Sequence, residues 1–106
     1  MVSSEASAKE DGQRRGLRMA GHYRGMFYTY ILQSTTDPTR LYRGHTTDLK
    51  QRLCDHNAGK CPHTAKYLPW KVKFYAAFDS LELAQRFETY LKSGSGHAFA
   101  KRHLGT

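Results

Sequence analysis

Cysteine is scarce in this chain, with two residues, Cys54 and Cys61, among 106. Two thiols make no disulfide framework, so a cystine-stapled secreted module is excluded and a reducing, cytoplasmic compartment is expected. Long apolar runs are missing too: no stretch approaches the roughly 20 residues a membrane-spanning helix needs. The opening segment, MVSSEASAKEDGQRRGLRMAGHYRG, lacks the apolar centre of a secretory signal. Internal repeats are absent. Acid is the last shortage: 9 Asp and Glu face 17 Lys and Arg, a formal charge of +8. That imbalance favours an anionic partner, nucleic acid ahead of an acidic membrane surface.

What is present fits one domain with a modest core. Residues 1–25 are Ser, Ala, Gly and charge, with almost nothing to bury, and are expected to form a disordered basic tail. Residues 26–106 form the expected domain and keep 12 basic against 6 acidic residues. MFYTYILQS, 26–34, is aromatic and β-branched and reads as a strand, with Tyr28, Tyr30 and Leu32 on one face and Phe27, Thr29 and Ile31 on the other. TTDPT is turn chemistry, and RLYRG reads as a second strand returning antiparallel. A turn centred near Thr36 would set Tyr30 opposite Tyr42. A helix follows, capped by Thr46, Thr47 or Asp48 and ended by Gly59. WKVKFYAAF, 70–78, alternates as a half-buried strand, with Trp70, Val72, Phe74, Ala76 and Phe78 pointing one way and Lys71, Lys73 and Tyr75 the other. SLELAQRFETYLKS reads as a second helix starting at Asp79 or Ser80. GSG stops it, and HAFAKRHL reads as a short terminal helix.

Polar residues intrude where apolar faces should be. Leu49, Arg52, Leu53 and His56 fall on one helical stripe, as do Ala84, Phe87, Glu88 and Leu91. Tyr30 and Tyr42 share a strand face, and His45 follows the second strand's glycine. Buried charge is expensive unless paired or put to use. A guanidinium is a forked donor for phosphate oxygens, a carboxylate can hold a hydrated Mg²⁺, and a tyrosine or histidine can orient or deprotonate water. Each residue has a plainer reading. The tyrosines can be strand aromatics, Arg52 can snorkel, His56 can sit at a helix C-terminus, and Glu88 can pair with Lys92. Their convergence on one side of one sheet weakens those readings jointly.

The ordered set TYI (29–31), YRG (42–44), TTDLKQRLCDHNAGK and FETYLKSGSGHAFAKRH resembles the GIY-YIG nuclease superfamily, specifically its small stand-alone single-domain bacterial members, over residues 26–104. The resemblance implies an α+β fold, a three-stranded antiparallel sheet flanked by helices, that hydrolyses DNA phosphodiesters with one divalent metal. It implies catalytic roles for Tyr30, Tyr42, Arg52, His56 and Glu88, with Glu88 holding Mg²⁺, or Mn²⁺ in its place. His45 falls where some members place lysine. Tyr28, Thr29 and Arg43 depart from the motif's glycine and isoleucines, at positions permissive in the small subgroup.

Arg43, Lys50, Lys60, Lys66, Lys71 and Lys73 are expected to join His45 in flanking the substrate. Phosphate contacts of this kind position DNA without reading its sequence. Low sequence specificity, selection by structure or ends, a role in DNA repair or processing, and a protein partner supplying targeting are the matching expectations. Two alternatives stand beside them. One is a nucleic-acid-binding module with little or no catalysis. The other is a zinc-stabilised domain using Cys54, His56, Cys61 and His63, whose spacing matches no common zinc pattern.

Overall fold

A computed structural model describes residues 25–106; the tail expected over 1–25 lies, but for Gly25, outside them. Strand β1 (Phe27–Ser34), strand β2 (Leu41–Thr46), helix α1 (Leu49–Asn57), a 3₁₀ turn (Ala65–Tyr67), strand β3 (Trp70–Phe78), helix α2 (Leu81–Leu91) and helix α3 (Gly94–His103) follow in order. The fold is α+β: a three-stranded antiparallel sheet with three helices, ordered β2-β1-β3.

The central position of β1 follows from its composition, aromatic and β-branched on both faces. Tyr28 through Leu32 are all buried. On one face Tyr30 and Leu32 pack with Trp70 under Leu49 and Leu53 of α1. On the other, Ile31 packs with Leu91 and Ala100 beneath Phe87 and Phe99, from α2 and α3. Each large apolar side chain so buried contributes about 1.5–3 kcal/mol.

Two details of the sheet differ from the simple alternation. The β1–β2 register pairs Tyr30 with Gly44 and Leu32 with Tyr42, so Tyr30 and Tyr42 are diagonal neighbours on the same face rather than opposite partners. The turn sets this by its own hydrogen bonds: Ser34 Oγ accepts from the amides of Thr36 and Asp37, and Asp37 Oδ1 from that of Thr39. In β3 a register shift opposite Ile31 and Leu32 makes Lys73 an extra residue. Trp70 and Val72 therefore face α1 while Phe74 joins the α2–α3 side, and the single-faced alternation expected for 70–78 is split by a bulge.

The helix ends explain the remaining geometry. Asp48 caps α1 by accepting from the Gln51 amide at 3.0 Å, and Gly59, at φ 77°, turns the chain away. Asn57 brackets Trp70, accepting from its amide at 2.6 Å and donating to its carbonyl at 3.0 Å, which ties α1 to β3. Ser80 caps α2. GSG is not a loop: Ser93 caps α3 by accepting from the Gly96 amide at 3.1 Å, so the glycines form the helix's first turn. A Cβ at Gly96 would lie 1.8 Å from the Tyr90 carbonyl oxygen; the absent side chain lets α3 fold back onto α2.

Candidate active site

The site begins with a missing side chain. Opposite Gly44 on the edge strand, the Tyr30 phenol crosses the strand, and its Oη lies 2.6 Å from where a Cβ at position 44 would stand. The YRG glycine is thus a passage for a ring rather than a turn. Tyr42 lies diagonally adjacent, its ring 6.4 Å from that of Tyr30. His56, in the last turn of α1, completes the group at 4.8 Å from the Tyr42 ring centre. Its Nε2 is 3.5 Å from Tyr30 Oη and its Nδ1 2.9 Å from Thr64 Oγ1.

Accessibility divides the set. Tyr30 is fully buried and His56 only 2% exposed, whereas Tyr42 is half-buried and Arg52 exposed. Burial pushes the Tyr30 phenol up, the nearby Arg52 guanidinium opposes this by charge and hydrogen bonding, and Tyr42 and Glu88 add to the rise, leaving a pKa of about 12. Burial lowers the His56 pKa below the usual imidazole value, the Arg52 charge lowers it further, and Asp55 opposes both. At neutral pH both rings are therefore uncharged.

The convergence on one side of the sheet expected from the sequence does not hold for Glu88: α2 packs on the face opposite α1, and the acid arrives from that other side. It meets His45, which alternates to the α2 face of β2, with 2.5 Å between Oε1 and Nδ1, and its Oε2 takes Lys92 Nζ at 2.7 Å. Burial works to raise this carboxyl, but hydrogen bonds and charge from Lys92 and His45 outweigh it and hold the pKa below its ordinary value. Although α1 and α2 cover opposite faces, the Glu88 charge reaches Tyr30. The acid is held at the edge strand by His45, the residue after Gly44.

The expected flanking cations divide. Lys50 is exposed on α1. Lys60 pairs with Asp55 at 3.4 Å, and Lys66 lies in the 3₁₀ turn. Lys71 and Lys73 stand on β3, the opposite sheet edge from β2, and so are not brought together with Glu88. Arg43 is partly buried on the α2–α3 side, its Nε lacking a partner. Two contributors carried too little sequence signal to be picked out: Gly44, whose role depends on register, and Thr64, which sits in an aperiodic loop. Among the described residues no three His, Cys, Asp or Glu side chains converge. Cys54 is exposed and His56 Nδ1 is taken by Thr64, so the zinc alternative loses its ligands.

A small α+β domain carries two phenols and an imidazole packed together on one face of its sheet, an exposed guanidinium, and a carboxylate held by the edge strand, side chains of the kind phosphate chemistry uses. The family model for the GIY-YIG catalytic domain matches residues 26–101, and the chain belongs to the GIY-YIG family. It is similar to UPF0213 proteins of Streptococcus pyogenes serotype M5 (strain Manfredo) and serotype M3 (strain ATCC BAA-595 / MGAS315), each 47% identical over 66 residues, 61% of this chain and 70% of theirs. It also resembles the solution NMR structure of the UPF0213 protein BH0048 from Bacillus halodurans, at 30% identity and a TM-score of 0.46, over 76% of this chain and 87% of that one.

Proposed function

We propose that this chain is a divalent-metal-dependent DNA endonuclease of low sequence specificity that selects substrates by structure or ends and acts in DNA repair or processing. The observation that carries the reading is the packed Tyr30–Tyr42–His56 group on one face of the sheet, with Glu88 held by His45 on the neighbouring edge strand.

The donor set fits a hard, largely hydrated cation. Glu88 is an ionised carboxylate whose side chain is 17% exposed, and Mg²⁺ or Mn²⁺ keeps most of its water when held by one carboxylate. Such an ion, when bound, neutralises charge that develops on the phosphate and leaving oxygen. Lys92 or His45 must yield an oxygen of Glu88 to admit it. The exposed Arg52 guanidinium grips the scissile phosphate.

Burial separates the two phenols. Tyr30, with its pKa of about 12, is no base at neutral pH and anchors Arg52 instead. Tyr42, on the open side, orients the attacking water. His56, uncharged and beside both rings, accepts the Tyr30 proton in a hydrogen bond. The basic surface, with Arg43, His45 and Lys50 nearest the edge strand, holds the DNA backbone.

The test is a panel of duplex, nicked, flap, branched and single-stranded DNA, with parent and Glu88→Ala, with and without Mg²⁺. Metal-dependent cleavage of at least one structure by the parent alone is expected. Salt-sensitive binding to all, with no cleavage, would replace the enzyme by a binding module.

A further inference from the structure

The buried polar chain behind Tyr30 has a direction, fixed at its inner end by Thr64. This deepens the reading above, on which its catalytic consequence rests. A guanidinium only donates. The Arg52 charge acts on the Tyr30 phenol and favours the oxygen facing it and the O–H turned away. The neighbour available to it is His56 Nε2, at 3.5 Å. At the far end a main-chain carbonyl only accepts, so Thr64 Oγ1, 3.3 Å from the Cys61 oxygen, donates to it. The single hydroxyl proton of Thr64 is then committed. Its 2.9 Å contact with His56 Nδ1 must take a proton from the ring. That contact requires the tautomer with the proton on Nδ1 and the lone pair on Nε2, and the Arg52 charge beside Tyr30 favours the same one.

Thr64 is placed to hold that tautomer. It is 1% exposed, and its carbonyl accepts the Trp70 indole N–H at 2.8 Å, so it is fixed to the core rather than to a mobile surface. A ring's second nitrogen sets what the first can do.

We infer that Thr64 is a positioning residue: it locks His56 as the Nδ1–H tautomer, so that Nε2 draws the Tyr30 proton inward and the phenol oxygen is presented to Arg52. With the other tautomer His56 would aim an N–H at Tyr30, the phenol O–H would turn outward toward a guanidinium that can only donate, and Arg52 would lose its anchor.

The experiment reads the tautomer directly, on the full chain labelled with ¹⁵N-histidine, from two-bond ¹H–¹⁵N spectra at pH 7.5, beside nicking of supercoiled DNA. The parent is expected to show a protonated Nδ1 and an unprotonated Nε2 at His56. Thr64→Ser, which keeps the hydroxyl, retains both the tautomer and the nicking rate. Thr64→Val shifts the population toward Nε2–H and slows nicking about tenfold, the effect of one hydrogen bond. An Nε2–H tautomer in the parent overturns the inference without any variant, as does Thr64→Val that keeps both tautomer and rate. The expected tautomer in a parent that cleaves nothing sustains the placement of Thr64 and overturns the nuclease reading instead.

Discussion

Gly44→Ala is the smallest change that tests how the site is built. The added methyl would stand 2.6 Å from Tyr30 Oη and 2.9 Å from Cζ, about 0.8 Å short of ordinary contact at the oxygen. The ring has little room to retreat, because Tyr30 is fully buried and flanked by Tyr42 and His56. Forcing a methyl into such packing costs about 1–3 kcal/mol. For a domain of this size each kcal/mol lowers Tm by about 4–8 °C, so a fall of roughly 5–20 °C is expected in thermal unfolding followed by circular dichroism. Tyr30→Phe supplies the control. It removes the oxygen, the tighter of the two contacts, and leaves Cζ. The double variant should therefore cost less than the two single changes together, by about 0.5–1.5 kcal/mol in urea unfolding. Strict additivity, or a Gly44→Ala protein as stable as the parent, would show that the phenol does not cross the edge strand at this glycine.

Other consequences follow from the same contacts. Gly96→Ala drives a methyl to 1.8 Å from a main-chain oxygen, and a loss of at least about 3 kcal/mol is expected in urea unfolding, against about 1 kcal/mol for removing the α3 cap by Ser93→Ala; equal effects would contradict the close α2–α3 approach. Burial and the Arg52 charge hold the His56 pKa below its unfolded value near 6.5, so the unfolded chain binds the extra proton first. Stability should be flat above pH 6.5 and fall as pH drops below it, with a further fall as Glu88, whose pKa is lowered from 4.5, becomes protonated; a urea midpoint constant from pH 7 to 4 would refute the assignment. Mn²⁺ should broaden the NMR signals of His45 and Glu88 in the parent and leave Glu88→Ala unaffected; equal broadening in both would place the ion elsewhere.

The fold was largely legible because its elements advertise themselves. The aromatic, β-branched 26–34 run reads as a strand, and Leu49–Leu53 and Ala84–Leu91 announce helices at their observed positions. The bulge at Lys73 was not legible, since a backbone irregularity leaves a run of alternating residues that still looks regular. The α3 start was misread because Gly-Ser-Gly is a stop signal in isolation. Only the Ser93 hydroxyl, seen against the Gly96 amide, makes it a beginning.

The candidate site divides along the same line. Arg52 and His56 stood out because they interrupt a single helical stripe. The face from which Glu88 comes did not: a shared side of the sheet is expected from the stripe pattern alone, and only the packing of α1 and α2 on opposite faces shows otherwise. Which phenol is buried also escaped the sequence: Tyr30 and Tyr42 share chemistry and face, and the strand order, with β1 central and β2 at the edge, separates them.

The most direct test of the account is nicking of supercoiled DNA in Mg²⁺ or Mn²⁺ by the parent, Glu88→Ala and Arg52→Ala at equal concentration and low salt. The account predicts metal-dependent conversion to open circles by the parent and a loss of about 10²-fold or more in either variant. Cleavage by both variants at the parent's rate would contradict it.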